Sequence, residues 1–153
     1  MKEFDRYSSA FAFGLVEGGY KEGDRLLLWL DQENSAEILV AQMGAAKAGV
    51  TIVTFDEKES RDALHEALKD SGARGLVFSP STQVDEEGAT RQQFVHKLMP
   101  ELDSMYPGDP LSLSAYPHLK QIVQTGHGNI RGVIKYKDAL AYAVPQLSPY
   151  ELP

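Results

Sequence analysis

Apolar and polar positions along this chain alternate between two periods. Phe4, Tyr7, Phe11 and Leu15 recur at helical spacing, and Gly18-Gly19 ends that segment with residues free to turn left-handed. After the turn Lys21-Glu22-Gly23-Asp24, the run Arg25-Leu26-Leu27-Leu28-Trp29-Leu30 is continuous, apolar and of strand length. A strand without polar alternation is one covered on both faces, as in a parallel sheet. Asn34 or Ser35 caps a second helix, and Glu37 suits the positive end of its dipole. Ile38, Leu39, Gln42, Met43 and Ala46 give that helix one mostly apolar face. Gly49 stops it, and Val50-Thr51-Ile52-Val53-Thr54-Phe55 reads as a β-branched strand.

The unit then repeats. Ser60 caps a helix that runs through Leu64, Ala67 and Leu68 to Ser71, with Gly72 just past its end, and Gly75-Leu76-Val77-Phe78 is a third strand. Strand and helix alternating through short loops is the βαβ signature of a parallel sheet with right-handed crossovers. The second half is less regular. Ser79 to Gly88 is polar, with Asp85-Glu86-Glu87 a solvated loop. Thr90 caps a helix through Phe94, Val95 and Leu98, with Leu102 at its furthest reach. Pro100, Pro107, Pro110 and Pro117 mark a long irregular connection. A fourth strand lies around Ile122-Val123, a glycine-punctuated loop spans Gly126 to Gly132, and Val133-Ile134 is a short strand. Lys137 to Val144 reads as a last helix, and the proline-bearing end from Pro145 to Pro153 is extended. The expected organisation is a single α/β domain over 1–144 and a C-terminal tail over 145–153, with no internal repeat.

Composition narrows the function classes. With 153 residues the chain fits one domain, typically about 100–150 residues. Its 42% hydrophobic and 24% charged residues are those of a globular core rather than a disordered segment. A net charge of −7 with no Lys/Arg cluster argues against nucleic acid, which needs concentrated positive charge. Without cysteine there is no disulfide, thiolate zinc site or thiol nucleophile. No apolar run approaches the ~20 residues that span a bilayer. Met1-Lys2-Glu3-Phe4-Asp5 lacks an apolar signal core, and its early acids do not suit a transit peptide. A presequence removed beforehand would leave the compartment open.

Candidate chemistry is sparse, and each candidate has a plainer structural reading. His65, His96, His118 and His127 show no metal-ligand spacing, and His65 and His96 sit among charged helical neighbours where an exposed side chain is expected. Gly126-His127-Gly128-Asn129-Ile130-Arg131-Gly132 invites a phosphate-loop reading, but its spacing is G-x-G-x-x-x-G and a strand rather than a helix follows. Without a helix start to aim its N–H groups, it reads as a strand-to-strand turn. Ser79-Pro80-Ser81-Thr82 is Ser/Thr-dense but has no glycines and no following lysine, so it reads as a polar loop. Asp31/Glu33 and Asp56/Glu57 fall at strand ends, where they cap helices or face a cleft at the sheet's carboxyl edge. No catalytic, cofactor-binding or metal-binding residue is assigned.

Five fragments carry a family resemblance. Gly23-Asp24-Arg25-Leu26-Leu27-Leu28-Trp29-Leu30 resembles the "GDRVALWL" stretch of adenylate-forming enzymes, the acyl-CoA synthetase and AMP-binding superfamily. Ala41 to Val50 is similar to that family's "AxLGALKAGA" helix end, and Ala67 to Val77 to its "ALxDSGAKxLV" element. Leu119 to Gly126 resembles the later "LKHVIxTG" strand, and Gly132 to Leu140 the segment after it. They run in family order over about residues 7–143. The family's proline after the second strand is replaced, since the chain reads Val53-Thr54-Phe55-Asp56.

The resemblance implies a three-layer α/β fold with a mainly parallel sheet, similar to the first subdomain of acyl-CoA synthetases. It also implies that the family's phosphate loop, adenine and ribose motifs and catalytic lysine lie beyond Pro153, so none of its catalytic residues is carried over. The expected function is a non-catalytic structural or interaction subunit of a larger assembly, without cofactor. Other subunits or self-association would cover an exposed sheet edge, and Tyr150 and Leu152 in the tail are the expected docking anchors. The alternative is a component of a split acyl-CoA synthetase whose catalytic part is another chain. A third reading is a ligand-binding module that keeps a cleft for an acyl chain or a nucleotide. A mitochondrial or cytoplasmic location is compatible with the family.

Overall fold

Four consecutive apolar residues decide the layering. Leu26, Leu27, Leu28 and Trp29 are all buried, and because successive strand residues point to opposite faces they enter two different cores. The computed structural model describes residues 2–30, 35–54, 61–82, 88–106, 111–126 and 128–136. Helix α1 (Lys2–Glu17) precedes β1 (Arg25–Trp29), followed by α2 (Ser35–Ala48), β2 (Thr51–Thr54), α3 (Arg61–Ser71) and β3 (Gly75–Phe78). Then come α4 (Arg91–Leu98), a 3₁₀ turn (Pro100–Ser104), β4 (Gln121–Gln124) and β5 (Ile134–Lys135). All four strand pairings are parallel, in the order β2-β1-β3-β4-β5. Leu27 pairs with Val53 on one side and Leu76 on the other, so β1 is an interior strand.

On one face, Leu26, Leu28, Val77 and Val123 pack with Phe11 and Leu15 of α1 and Val40, Ala41 and Ala45 of α2. On the other, Leu27, Trp29, Leu76, Phe78 and Ile122 pack with Leu64 and Leu68 of α3, Phe94 and Val95 of α4, and the connection bearing Leu111, Leu113 and Tyr116. Helices on both faces of an all-parallel sheet make the expected three-layer α/β architecture.

Several local expectations are corrected. Helix α2 does not bury Ile38, Leu39, Gln42, Met43 and Ala46; it buries Val40, Ala41, Gly44 and Ala45, leaving Leu39, Gln42 and Ala46 exposed. This helix is apolar nearly all round, so hydrophobicity alone offers no contrast from which to choose a face. Small size chooses it. A Cβ on Gly44 would stand 2.8 Å from the Ser8 carbonyl oxygen and 2.8 Å from the Phe11 ring, so only glycine permits the close approach of α1. Tyr7 is correspondingly exposed, and Ser8, Phe11 and Leu15 form the buried stripe of α1. At the end of this pair, Lys47 Nζ reaches Asp5 Oδ1 at 2.7 Å and the hydroxyls of Ser8 and Ser9 at 2.9 Å each. Gly49 then takes φ +76°, which lets Val50 N–H return to the Ala45 carbonyl at 2.8 Å and closes the helix.

Helix α4 stops at Leu98 rather than reaching Leu102, because Pro100 lacks an N–H and restricts Met99 before it. Leu102 is buried from the 3₁₀ turn instead. The Gly126–Gly132 segment joins two parallel strands, so it is a crossover rather than a tight turn. Ile130 and Val133, both buried on the α3/α4 side, hold the part of this crossover that is described. Asn34, Ser60 and the last predicted helix lie outside the described residues, as do Tyr150 and Leu152.

Two measurements test this packing. Gly44→Ala is expected to destabilise the chain by about 1–3 kcal/mol, the usual range for overpacking, read as a lower denaturation midpoint. The second concerns Glu101, whose Oε2 accepts from Ser114 N–H and Oγ at 2.9 Å each. The hydrogen bond from the Ser114 amide, more than that from its hydroxyl, holds the Glu101 carboxyl below its ordinary value of 4.5. A lowered carboxyl stabilises the fold above the unfolded-state value and loses that contribution as pH falls through the folded one. The Ser114 amide resonance should therefore titrate with a midpoint below 4.5, and Glu101→Gln should abolish that titration.

Candidate functional site

The strand order places a topological switch between β1 and β3, since the chain leaves β1 for β2 on one side and returns to β3 on the other. Open α/β sheets bind ligands outside the carboxyl ends of such strands. Here those ends are Trp29 and Phe78, whose rings stack 6.5 Å apart at 26°, with Gln124 ending β4 beside them. The Trp29 carbonyl receives Ser79 N–H at 3.4 Å and a shorter bond from Arg91 Nη1 at 2.7 Å. The Arg91 guanidinium also lies 4.8 Å from the Trp29 ring centroid, and the residue is only 2% exposed.

The segment after β3 explains how Arg91 arrives there. Ser79 Oγ accepts from Thr82 Oγ1 at 3.0 Å, and Pro80 is buried. The Thr82 carbonyl accepts Arg91 N–H at 3.0 Å and the Pro80 carbonyl accepts Gln92 N–H at 3.1 Å. Thr90 and Gln93 complete a reciprocal capping box, each side chain taking the other's backbone N–H. The polar stretch Ser79-Pro80-Ser81-Thr82 is thus the landing for the first turn of α4. Thr90 was legible as a cap. Arg91 was missed, because no sequence period marks an arginine that is buried by its helix start.

The histidines do not gather. His65, expected to be exposed, is half-buried with Nδ1 2.6 Å from the Tyr116 hydroxyl, and its ring lies edge-on to that of Tyr116. His96, also half-buried, has Nδ1 3.2 Å from Asp103 Oδ1. His118 Nε2 donates to the Leu68 carbonyl at 2.9 Å. Each ties a helix to the irregular connection, a contact that charged sequence neighbours do not reveal. Among the described residues no three His, Asp or Glu side chains form a metal cluster. His127, Asp31, Glu33, Asp56 and Glu57 lie outside the described residues. At the opposite, amino edge of the sheet, Tyr20 Oη donates to Gln121 Oε1 at 3.0 Å. Burial pushes the Tyr20 phenol up, which keeps this donor protonated.

Comparison with known proteins places this geometry. The pattern of the AMP-binding enzyme family matches residues 1–140. The chain belongs to that family. Among related AMP-binding proteins, YngI of Bacillus subtilis (strain 168), whose name assigns it to the acyl-CoA synthetases, is 30% identical over 136 residues. That match covers 89% of this chain and 24% of YngI. The mitochondrial medium-chain acyl-CoA ligase ACSF2 of Rattus norvegicus is 28% identical over 124 residues, covering 80% of this chain and 18% of the ligase. The chain thus spans a quarter or less of these relatives, in the family's N-terminal part. The structure of the anthranilate CoA ligase AuaEII with anthranoyl-AMP superposes with a TM-score of 0.64 at 20% identity, over 92% of this chain and 22% of that one. The N-terminal domain of FACL13 from Mycobacterium tuberculosis gives 0.56 at 18%, over 99% and 30%. These likenesses establish the fold.

Loss of the cap should loosen the placement of Arg91. Thr90→Ala is expected to cost about 0.5–2 kcal/mol, the range for a lost helix cap. In urea unfolding followed by Trp29 emission, this should lower the midpoint and leave the slope unchanged.

Proposed function

We propose that this acyl-CoA-synthetase-like chain works through its fold. It is a structural or interaction unit, an α/β platform that receives further protein, and the ligase chemistry for which its relatives are named is not performed by these residues themselves. The observation that supports this reading is the condition of the sheet's sides. Among the described residues β2 pairs only with β1, and β5 pairs only with β4 over two residues. Ile52 and Val53 of β2 are only half-buried. A strand paired on one side offers a row of N–H and C=O groups to another chain or segment, and natural proteins cover such rows. Further protein, whether other subunits or a second copy of this chain, is the covering partner. Residues 145–153 are the proposed docking tail outside the 1–144 domain, with Tyr150 and Leu152 as anchors.

The test pairs an activity assay with a measurement of assembly. Pyrophosphate release from ATP with a panel of carboxylic acids should stay at background for the 153-residue chain. Light scattering should show an oligomer or a copurified complex, and Tyr150→Ala with Leu152→Ala should weaken it. Adenylation by the isolated chain would refute the non-catalytic reading, and a monodisperse monomer without a partner would refute the assembly. Activity that arises only on mixing with a second chain would replace both with a split ligase.

A further inference from the structure

The two outer strands of the sheet are not alike. β5 has two residues, one of them Lys135, and a short edge bearing a lysine is one that resists pairing. β2 runs for four residues, Thr51-Ile52-Val53-Thr54, in unbroken register with β1, and it carries no charge, proline or bulge. We infer that at the β2 edge a second copy of this chain adds its own β2 antiparallel, across a two-fold axis at Val53, and so joins the two sheets. This rests on the proposed reading that further protein covers the sheet, and it names that protein.

The ladder fixes which groups are on offer. Thr51 N–H donates to the Asp24 carbonyl at 2.8 Å, and residues bonded to one neighbour alternate along a strand. Thr51 and Val53 therefore face β1. The N–H and C=O of Ile52 and Thr54 face outward, where nothing among the described residues pairs with them. Two outward residues flanking one inward residue are self-complementary. Turned about Val53, Ile52 of each copy lies opposite Thr54 of the other and exchanges both backbone bonds with it, and Val53 meets Val53 of the second copy at the non-bonded position between. The side chains agree with this register. Val53 is half-buried against the α3/α4 core and Ile52 against the α1/α2 core, so an added strand extends the burial of both. Charge favours a copy over a different partner. The chain carries −7, yet the meeting line holds no charged side chain, so two copies align there without like charges in register. Nor is there a charge to select an acidic or a basic partner.

The chain has no cysteine, so a single introduced one reports the register. Opposed residues at a non-bonded antiparallel position have Cα atoms about 4.5 Å apart, within disulfide reach. With oxidised glutathione, Val53→Cys should cross-link the full chain into a dimer. Because pairing makes that step intramolecular, it should run roughly tenfold or more faster than in Thr51→Cys, which this axis holds well apart from its copy. Thr54→Pro removes an outward N–H and leaves the bonds to β1, so adding it to Val53→Cys should lower cross-linking to the Thr51→Cys rate, while Thr54→Val should not. Equal rates for the two cysteines would overturn the inference, as would cross-linking indifferent to Thr54→Pro. Where Thr54→Pro loses its far-ultraviolet dichroism, the contrast between the two cysteines decides alone. Light scattering separates this contact from the broader reading. An oligomer whose Val53→Cys variant fails to cross-link is held by another surface and overturns the β2 contact only, whereas a monomer without a partner overturns both.

Discussion

Burial of β1 on both faces, while it is paired on both edges, is the constraint from which the rest of the structure follows. Leu26 and Leu28 enter one core and Leu27 and Trp29 the other, each worth roughly 1.5–3 kcal/mol when fully buried. Such a strand needs a neighbour on each side and a layer on each face. Parallel pairing meets both needs, because each crossover from one strand to the next lays a helix over the sheet. Helix α2 crosses to β2 on one side of β1, and α3 returns on the other face to deliver β3 to its far side. The switch point between β1 and β3 is the geometric result of this pairing on both edges.

The two layers are built by different means. Helices α1 and α2 meet through small residues, with Gly44 letting the α1 backbone close in and Lys47 bridging Asp5, Ser8 and Ser9 at the rim. Among the described residues the opposite layer holds α3, α4 and the 3₁₀ turn, with irregular chain between them. Polar bonds position that chain over apolar anchors, through His65 with Tyr116, His118 with Leu68 and Glu101 with Ser114. Irregular backbone cannot satisfy itself as a helix does, so side chains supply the missing partners. Arg91 belongs to the same logic, since its position follows from the cap at Thr90 and from the Ser79–Thr82 landing.

Membership of the AMP-binding family and likeness to acyl-CoA synthetases agree with this architecture over most of the chain. The matched region is a quarter or less of those relatives. Its described polar side chains mainly join one element to another. Among the described residues, by contrast, β2 pairs only with β1 and β5 only with β4.

The sequence by itself determined the alternation of strand and helix, the parallel sheet, the third strand at Gly75–Phe78 and the helix stops at Gly49 and Gly72. These signals are local, a run of apolar residues or a glycine at a chain reversal, and need no knowledge of neighbours. The five resembling fragments pointed to the family for the same reason, since each is a strand or a helix end whose residues lie close together in the chain. Only the tertiary structure decided which face of α2 is buried, because an all-apolar helix is oriented by the size of what approaches it. Only the tertiary structure turned the Gly126–Gly132 loop into a parallel crossover and gave His65 and His96 partners 51 and 7 positions away. The same holds for Arg91, whose Trp29 partner is 62 residues distant and whose burial is imposed by packing that no sequence window contains.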